Sequence, residues 1–199
     1  MKLLYSTTSP YARKVRVVAI EKGLAARIEM VIATPWPDPT AVAAHNPLGK
    51  IPVLLLADGS ALYDSPVICE YLDSLIPASA LVPREGSARW SVLRLQALAD
   101  GILDAAVAVV LERRRPQTER SPTAERRALD AVRRSVAELG NQLGAGGAPL
   151  DLGRIASAVA IGYLHFRFGD TDLGLGTRAL DSFWQTIRTR PSFAATEPT

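Results

Sequence analysis

The sequence predicts a chain of two domains, in which a small α/β domain is followed by a domain made only of helices. Short apolar runs alternate with helical segments over residues 1–77. Residues 77–86 contain two prolines, a serine and a glycine, which predicts a linker over residues 78–86. From residue 87 to residue 199, apolar residues recur at helical spacing and no strand is predicted.

The α/β domain is predicted to run strand, helix, strand, hairpin and helix. Its strands are predicted at residues 2–5, 28–32, 51–56 and 61–63, and its helices at residues 12–22 and 64–75. Gly23 ends the first helix as a C-terminal glycine does, and Asp58-Gly59 is a strong hairpin signal. A loop rich in proline and alanine, with room for one helical turn, fills residues 34–47.

The second domain is predicted to contain four helices. They cover residues 88–113, 122–143, 152–168 and 177–189. A glycine-rich break is predicted at residues 144–147, and Asp151 stands where an N-cap is expected, just before a run of apolar residues at helical spacing.

Composition and charge exclude several classes of protein. Hydrophobic residues make up 48% of the chain and the net charge is +3, with arginines interleaved with acidic residues on predicted helices. This pattern indicates solvated helix faces rather than a nucleic-acid site. The lone cysteine, Cys69, excludes an internal disulfide framework, and no metal ligands cluster. We expect no metal and no membrane segment, and a cytoplasmic location.

Two predicted helices begin with a serine followed by a proline: Ser9-Pro10 and Ser65-Pro66. Helix N-termini present unpaired N–H groups and favour anions such as a thiolate or a carboxylate. The alternative is that both serines only cap their helices. A third element is Pro52, which opens a buried strand and cannot donate to the sheet, so the backbone of Ile51 is left free.

These segments resemble the cytosolic glutathione S-transferase family, and most closely its serine-type and bacterial members. The runs that carry the resemblance are STTSPYARKVRVVAIEKGL and NPLGKIPVLLLADGSALYDSPVICEYLDSL, with GRIASAVAIGYLHF and RPSF in the second half. The resemblance implies a thioredoxin-like glutathione-binding domain followed by an all-helical domain. It also implies a homodimer that uses glutathione as co-substrate.

The resemblance implies roles for several residues near the proposed glutathione. Pro52 is similar to the family's cis-proline, which would turn the N–H and C=O of Ile51 toward the cysteinyl backbone of glutathione. Asp64 and Ser65 are similar to the pair that holds the γ-glutamyl group. Lys50 would add charge or a backbone contact.

The resemblance also implies which residue supplies the thiol-activating hydroxyl and which residues line the electrophile pocket. Ser9 is the leading candidate for the catalytic hydroxyl, and the alternatives are Thr8, Ser6 and Tyr5. Asp100 would reach the glutathione amine of a neighbouring subunit. The expected electrophile pocket takes one residue from the active-site turn and four from the first long helix of the second domain: Tyr11, and Trp90, Leu93, Ala97 and Asp104.

The function implied is conjugation of glutathione to a small electrophile, as in detoxification. The alternatives are isomerisation, dehalogenation or peroxide reduction at the same site, and a non-catalytic binding or regulatory dimer. Thiol transfer is disfavoured because the active-site turn has no cysteine. Cys69 is expected to be a buried packing residue.

Overall fold

The computed structural model describes residues 1–143 and 148–199, so the predicted glycine-rich break at 144–147 lies outside the described residues. The chain forms two compact units, Met1–Pro83 with Arg190–Thr199, and Arg84–Thr189. The first contains strands β1 (Lys2–Tyr5), β2 (Glu29–Ile32), β3 (Val53–Leu55) and β4 (Ala61–Leu62), and helices α1 (Pro10–Glu21), α2 (Thr40–Ala43), α3 (Ser65–Ser74) and α8 (Pro191–Ala194). The second contains helices α4 (Gly86–Arg114), α5 (Pro122–Leu143), α6 (Leu152–Phe168) and α7 (Arg178–Ile187).

The four strands form one mixed sheet in the order β2-β1-β3-β4. Strand β1 is parallel to β2 and antiparallel to β3, and β3 is antiparallel to β4. An α/β unit with this sheet, joined to a helical unit, confirms the predicted fold class.

Both faces of the sheet are covered by apolar side chains. Leu4 and Val53 are paired in register, and they pack with Val42 of α2 on one face. Leu3 and Leu54 are paired on the opposite face and are fully buried. Cys69 is also fully buried, which confirms its predicted packing position.

The strand predicted at 51–56 is shorter in the structure, where β3 covers only Val53–Leu55. The Ile51–Pro52 peptide is cis, as expected, and Pro52 has no N–H to donate to the sheet. The first strand and the helices at 122–143 and 152–168 have the predicted bounds.

Residues 190–199 belong to the α/β unit, whereas the sequence placed them in the helical domain. The reason is a set of contacts with α1. Arg190 forms two hydrogen bonds with the Glu21 carboxylate, at 3.0 and 2.8 Å. Arg13 and Arg16 each donate to a backbone oxygen in this terminal segment, at 3.2 Å.

The segment predicted as a linker is also anchored in the α/β unit over its first half. Leu81 and Val82 are buried, and their N–H groups donate to the carboxylate of Asp73 at 2.8 and 3.0 Å. A 3-10 turn at Pro77–Ser79 precedes them. The α/β unit therefore extends to Pro83, and α4 begins at Gly86, within the segment predicted as a linker.

In the helical unit, α4 packs against α5 and α6. Helix α6 is buried along nearly its whole length, and the side chain of Asp151 caps it by accepting from the N–H of Arg154 at 2.8 Å. Burial raises the pKa of Asp151. Within the described parts of the chain, no helix is both long and apolar enough to cross a membrane.

Candidate functional site

Strand register brings three predicted site segments to one end of the sheet. Leu4 pairs with Val53, so the turn that follows β1 lies at the end where β3 begins. Leu54 pairs with Leu62, so the segment that follows β4 lies at that end as well. The three segments are residues 6–9, 50–52 and 64–65.

Ser9 is the N-cap of α1, and its Oγ accepts from the N–H of Ala12 at 3.3 Å. A serine hydroxyl has two acceptor lone pairs and one donor hydrogen, and this cap uses one lone pair. The described residues provide no acceptor for the Ser9 O–H. Capping the helix and donating to a ligand are therefore compatible roles for this side chain.

The alternative hydroxyls lie around the same turn. The backbone oxygen of Ser6 accepts from the N–H of Ser9 at 3.3 Å, and Thr8 is half-buried in the turn. The ring of Tyr5 lies 5.2 Å from the guanidinium carbon of Arg16. Ser9 alone among the four candidates sits at the N-cap of α1.

Two basic side chains are buried in the first turns of α1. Lys14 is fully buried and Arg13 is 5% exposed. Burial lowers the pKa of Arg13 to about 10, against the opposing effect of Glu197, so this side chain is still charged at neutral pH. Arg13 lies one turn after Ser9 on the same helix. The guanidinium of Arg13 donates to the backbone oxygen of Phe193, so this side chain holds the terminal segment against α1.

The loop before β3 is shaped by Asn46, which belongs to a run that carries the family resemblance but was given no role from the sequence. Its side chain donates to the backbone oxygen of Lys50 at 2.8 Å and accepts from the N–H of Leu48 at 3.0 Å. Asn-Pro pairs favour turns, which is the one sequence signal for this role. Lys50 is exposed, and Ile51 finds no backbone hydrogen-bond partner among the described residues.

Asp64 and Ser65 stand at the start of α3. Asp64 is exposed and occupies the N-cap position, but its carboxylate makes no capping bond. Ser65 is 1% exposed and is the first residue of the helix. The carboxylate of Asp64 and the N–H groups of the first turn of α3 are therefore left for other partners.

The candidates in the helical unit form one stripe along α4. Trp90, Ala97 and Asp104 are exposed, and Leu93 and Asp100 are half-buried. The stripe lies outside the core of this unit, which α4 fills with other residues: Val92, Leu95, Ala99, Ile102 and Leu103. Tyr11, the remaining pocket candidate, is half-buried in the first turn of α1.

Comparison with known proteins identifies the family. The glutathione S-transferase N-terminal domain family matches residues 8–75. The uncharacterised GST-like protein YibF of Escherichia coli K12 is 37% identical over 201 residues, which span 100% of this chain and 98% of YibF. This chain belongs to the glutathione S-transferase family.

Solved structures of this glutathione S-transferase family agree over the whole chain. A glutathione S-transferase from Methylobacillus flagellatus KT, crystallised with glutathione, has 43% identity and a TM-score of 0.92, and the match covers 100% of this chain and 99% of that one. A family member from Pseudomonas fluorescens Pf-5 with bound glutathione has 38% identity and a TM-score of 0.92, covering 100% and 98%. The chain therefore has the thioredoxin-like plus helical fold of the family.

Among residues 1–143 and 148–199, no group of three or more histidine, cysteine or carboxylate side chains is arranged to hold a metal ion.

Proposed function

We propose that this protein is a glutathione S-transferase that binds glutathione, stabilises its thiolate and conjugates it to an electrophilic small molecule. The observation that carries the proposal is the Ser9 hydroxyl, which caps α1 with a lone pair and keeps its O–H for a sulfur. The relatives whose structures contain glutathione support the choice of co-substrate.

The proposed groups are adequate in energy for thiol activation. A free thiol has a pKa of about 8.5, and lowering it by about two units requires about 2.7 kcal/mol of preferential thiolate binding. A hydrogen bond to a charged group supplies about 1.5–3 kcal/mol, and a helix N-terminus adds up to about 1 kcal/mol. Ser9 and α1 together therefore suffice.

The remaining contacts to glutathione are proposed from the segments at the same sheet end. The N–H and C=O of Ile51, next to Pro52, would pair with the cysteinyl backbone. Asp64 would hold the γ-glutamyl amine, and Ser65 would offer its hydroxyl and N–H to the carboxylate. Lys50, exposed beside them, would add charge.

We further propose a cytoplasmic homodimer with a role in detoxification. Tyr11 and the α4 residues Trp90, Leu93, Ala97 and Asp104 are the proposed contacts for the electrophile. In the dimer, Asp100 would reach the glutathione amine of the neighbouring subunit, so Asp100→Ala should weaken glutathione binding. Unchanged affinity would remove that role, and a monomer in sedimentation at micromolar concentration would oppose the dimer.

The first experiment is a glutathione titration at neutral pH that follows the ultraviolet absorbance of the bound thiolate. A clear signal would support binding and activation together. A screen of conjugation, isomerisation, dehalogenation and peroxide substrates would then identify the reaction. Binding by calorimetry without a thiolate signal would mean that glutathione is held but not activated, and would remove the proposed role of Ser9. No binding at all would overturn the proposed function in favour of the non-catalytic alternative.

A further inference from the structure

Asn46 is almost completely buried, with 1% of its surface exposed, and every polar group it carries has a partner. Its side-chain Nδ2 donates to the Lys50 oxygen and its Oδ1 accepts from the Leu48 N–H. Its backbone N–H donates to the Val42 oxygen at 2.9 Å, and its backbone oxygen accepts from the Gly49 N–H at 2.8 Å. The loop is therefore folded around this side chain.

The contact with Lys50 has a consequence for the next residue. The carbonyl of Lys50 and the N–H of Ile51 belong to one peptide group, which is planar and trans, so the two bonds point in opposite directions. When Asn46 fixes the carbonyl, it also fixes the direction of the Ile51 N–H, away from Asn46. That N–H has no hydrogen-bond partner within the described residues.

Gly49 gives the loop the conformation that this contact needs. Its φ of +61° lies in the left-handed region, and a Cβ built there would lie 3.1 Å from the Cβ of Pro39. The chain thus reverses at Gly49 and returns the Lys50 carbonyl to the Asn46 amide. The orientation of the Lys50–Ile51 peptide is held from both sides, by a backbone turn and by a buried amide.

We infer that Asn46 is a positioning residue for glutathione, acting through the Lys50–Ile51 peptide rather than by touching the ligand. It aims the Ile51 N–H at the cysteinyl carbonyl of glutathione and keeps this donor from rotating. The inference rests on the proposed function. In this role Asn46 determines specificity for the peptide backbone of glutathione, whereas the Ser9 hydroxyl acts on the thiol.

The test is calorimetry with S-methylglutathione, which keeps the peptide and has no ionisable thiol, on wild type, Asn46→Asp and Asn46→Leu. An ionised aspartate cannot donate to the Lys50 carbonyl, whereas a protonated aspartic acid matches the asparagine with one O–H donor and one acceptor. Burial raises the pKa of a carboxyl group, which brings this protonation within reach of mild acid.

We expect Asn46→Asp to bind about tenfold more weakly than wild type at pH 8.5, as for the loss of one good hydrogen bond. Near pH 5.5, most of that loss should be recovered. Asn46→Leu should stay weak at both pH values. The ionisable neighbours His45 and Lys50 are also present in wild type. Any change in the wild-type dissociation constant between the two pH values therefore comes from groups other than residue 46.

A purely structural role for Asn46 would give a different result. Reversible partial unfolding raises the apparent dissociation constant only by the inverse of the folded fraction, which far-ultraviolet circular dichroism measures without ligand, whereas mispositioning raises the dissociation constant of a protein that is fully folded. If Asn46→Asp does not fold at pH 8.5, Asn46→Ser is measured by the same criterion. Wild-type affinity in Asn46→Asp at pH 8.5, or no recovery in acid, would overturn the inference. Failure of wild type to bind S-methylglutathione would instead overturn the proposed function.

Discussion

The ammonium of Lys22 lies 2.7 Å from Oδ1 of Asp73, and the two side chains are 0% and 9% exposed. Lys22 also donates to the backbone oxygens of Ile76 and Ser79, at 2.7 and 2.6 Å. All three of its donors are therefore satisfied by the end of α3 and the segment after it. Together with the bonds from the N–H groups of Leu81 and Val82 to Asp73, the pair fixes the path by which the chain leaves the α/β unit.

Replacing Lys22 with methionine should lower the free energy of unfolding by about 3–5 kcal/mol, because it leaves the Asp73 carboxylate buried without its cation. Urea unfolding measures the change. The matched control is Lys2→Met, which removes an exposed ion pair with Glu29 and should cost about 1 kcal/mol or less. Equal losses in the two variants would show that the buried pair is not the stabilising contact.

Ser9→Ala should raise the pKa of the bound glutathione thiol by about one to two units, because it removes a hydrogen bond to the thiolate worth about 1.5–3 kcal/mol. The measurement is the pH dependence of the bound-thiolate absorbance. The variant also loses the helix cap at Ala12, which should cost about 0.5–2 kcal/mol of stability.

Two other variants serve as controls for Ser9→Ala. Ser9→Thr keeps both the cap and the O–H, and its thiol pKa should stay close to the wild-type value. Thr8→Ala tests the neighbouring hydroxyl and should also leave the pKa unchanged. A normal thiolate signal in Ser9→Ala, with the signal lost in Thr8→Ala, would transfer the catalytic role to Thr8.

The contact between Glu21 and Arg190 should make stability depend on pH. Hydrogen bonding from Arg190, with a further bond from Ser192, lowers the pKa of Glu21 despite partial burial. The contact therefore stabilises the fold above the pKa of the unfolded glutamate, about 4.3. This contribution is lost as the pH falls through the lower pKa of the folded protein.

Arg190→Met tests this contact between α1 and residues 190–199. The variant should lose about 1 kcal/mol of stability at pH 7, an estimate that allows for the partial exposure of the pair. The difference from wild type should shrink below about pH 4 as Glu21 is protonated. Arg27→Met, at an exposed arginine with no carboxylate partner in the described chain, should show no such pH dependence. A constant difference for Arg190→Met from pH 7 to pH 3 would contradict the assignment.

The parts of the fold that local sequence determines were predicted well. Helix α5 has the expected bounds because periodicity and a proline at its start are local signals. The placement of residues 190–199 was not predictable in this way, since it depends on contacts such as that of Arg13 with Phe193, 180 positions apart. Asp73 likewise binds Lys22, 51 positions away, and the N–H of Leu81, and no periodicity indicates these contacts.

In the candidate site too, residues that belong to local sequence patterns could be predicted, and a residue whose role depends on tertiary contacts could not. Serine-proline helix starts and the proline before a buried strand are local patterns, so Ser9, Pro52 and Ser65 could be selected from sequence and family resemblance. The contact of Asn46 with the Lys50 carbonyl depends on how the loop closes in three dimensions. Residue order alone indicates a turn at Asn46 and does not show which peptide group its amide holds.

Gly153 of α6 lies close to α4. A Cβ built there would lie 2.8 Å from the backbone oxygen of Val92 and 2.9 Å from the Cβ of Leu95, which is too close for either to remain in place. Gly153→Ala should therefore destabilise the protein by about 1–3 kcal/mol through overpacking, although alanine is the better helix former. Gly101→Ala on α4 is the control, because its Cβ would meet nothing within 4 Å. That variant should be stabilised by about 0.5–1 kcal/mol, and urea unfolding that showed equal gains for both variants would mean that the two helices can separate without cost.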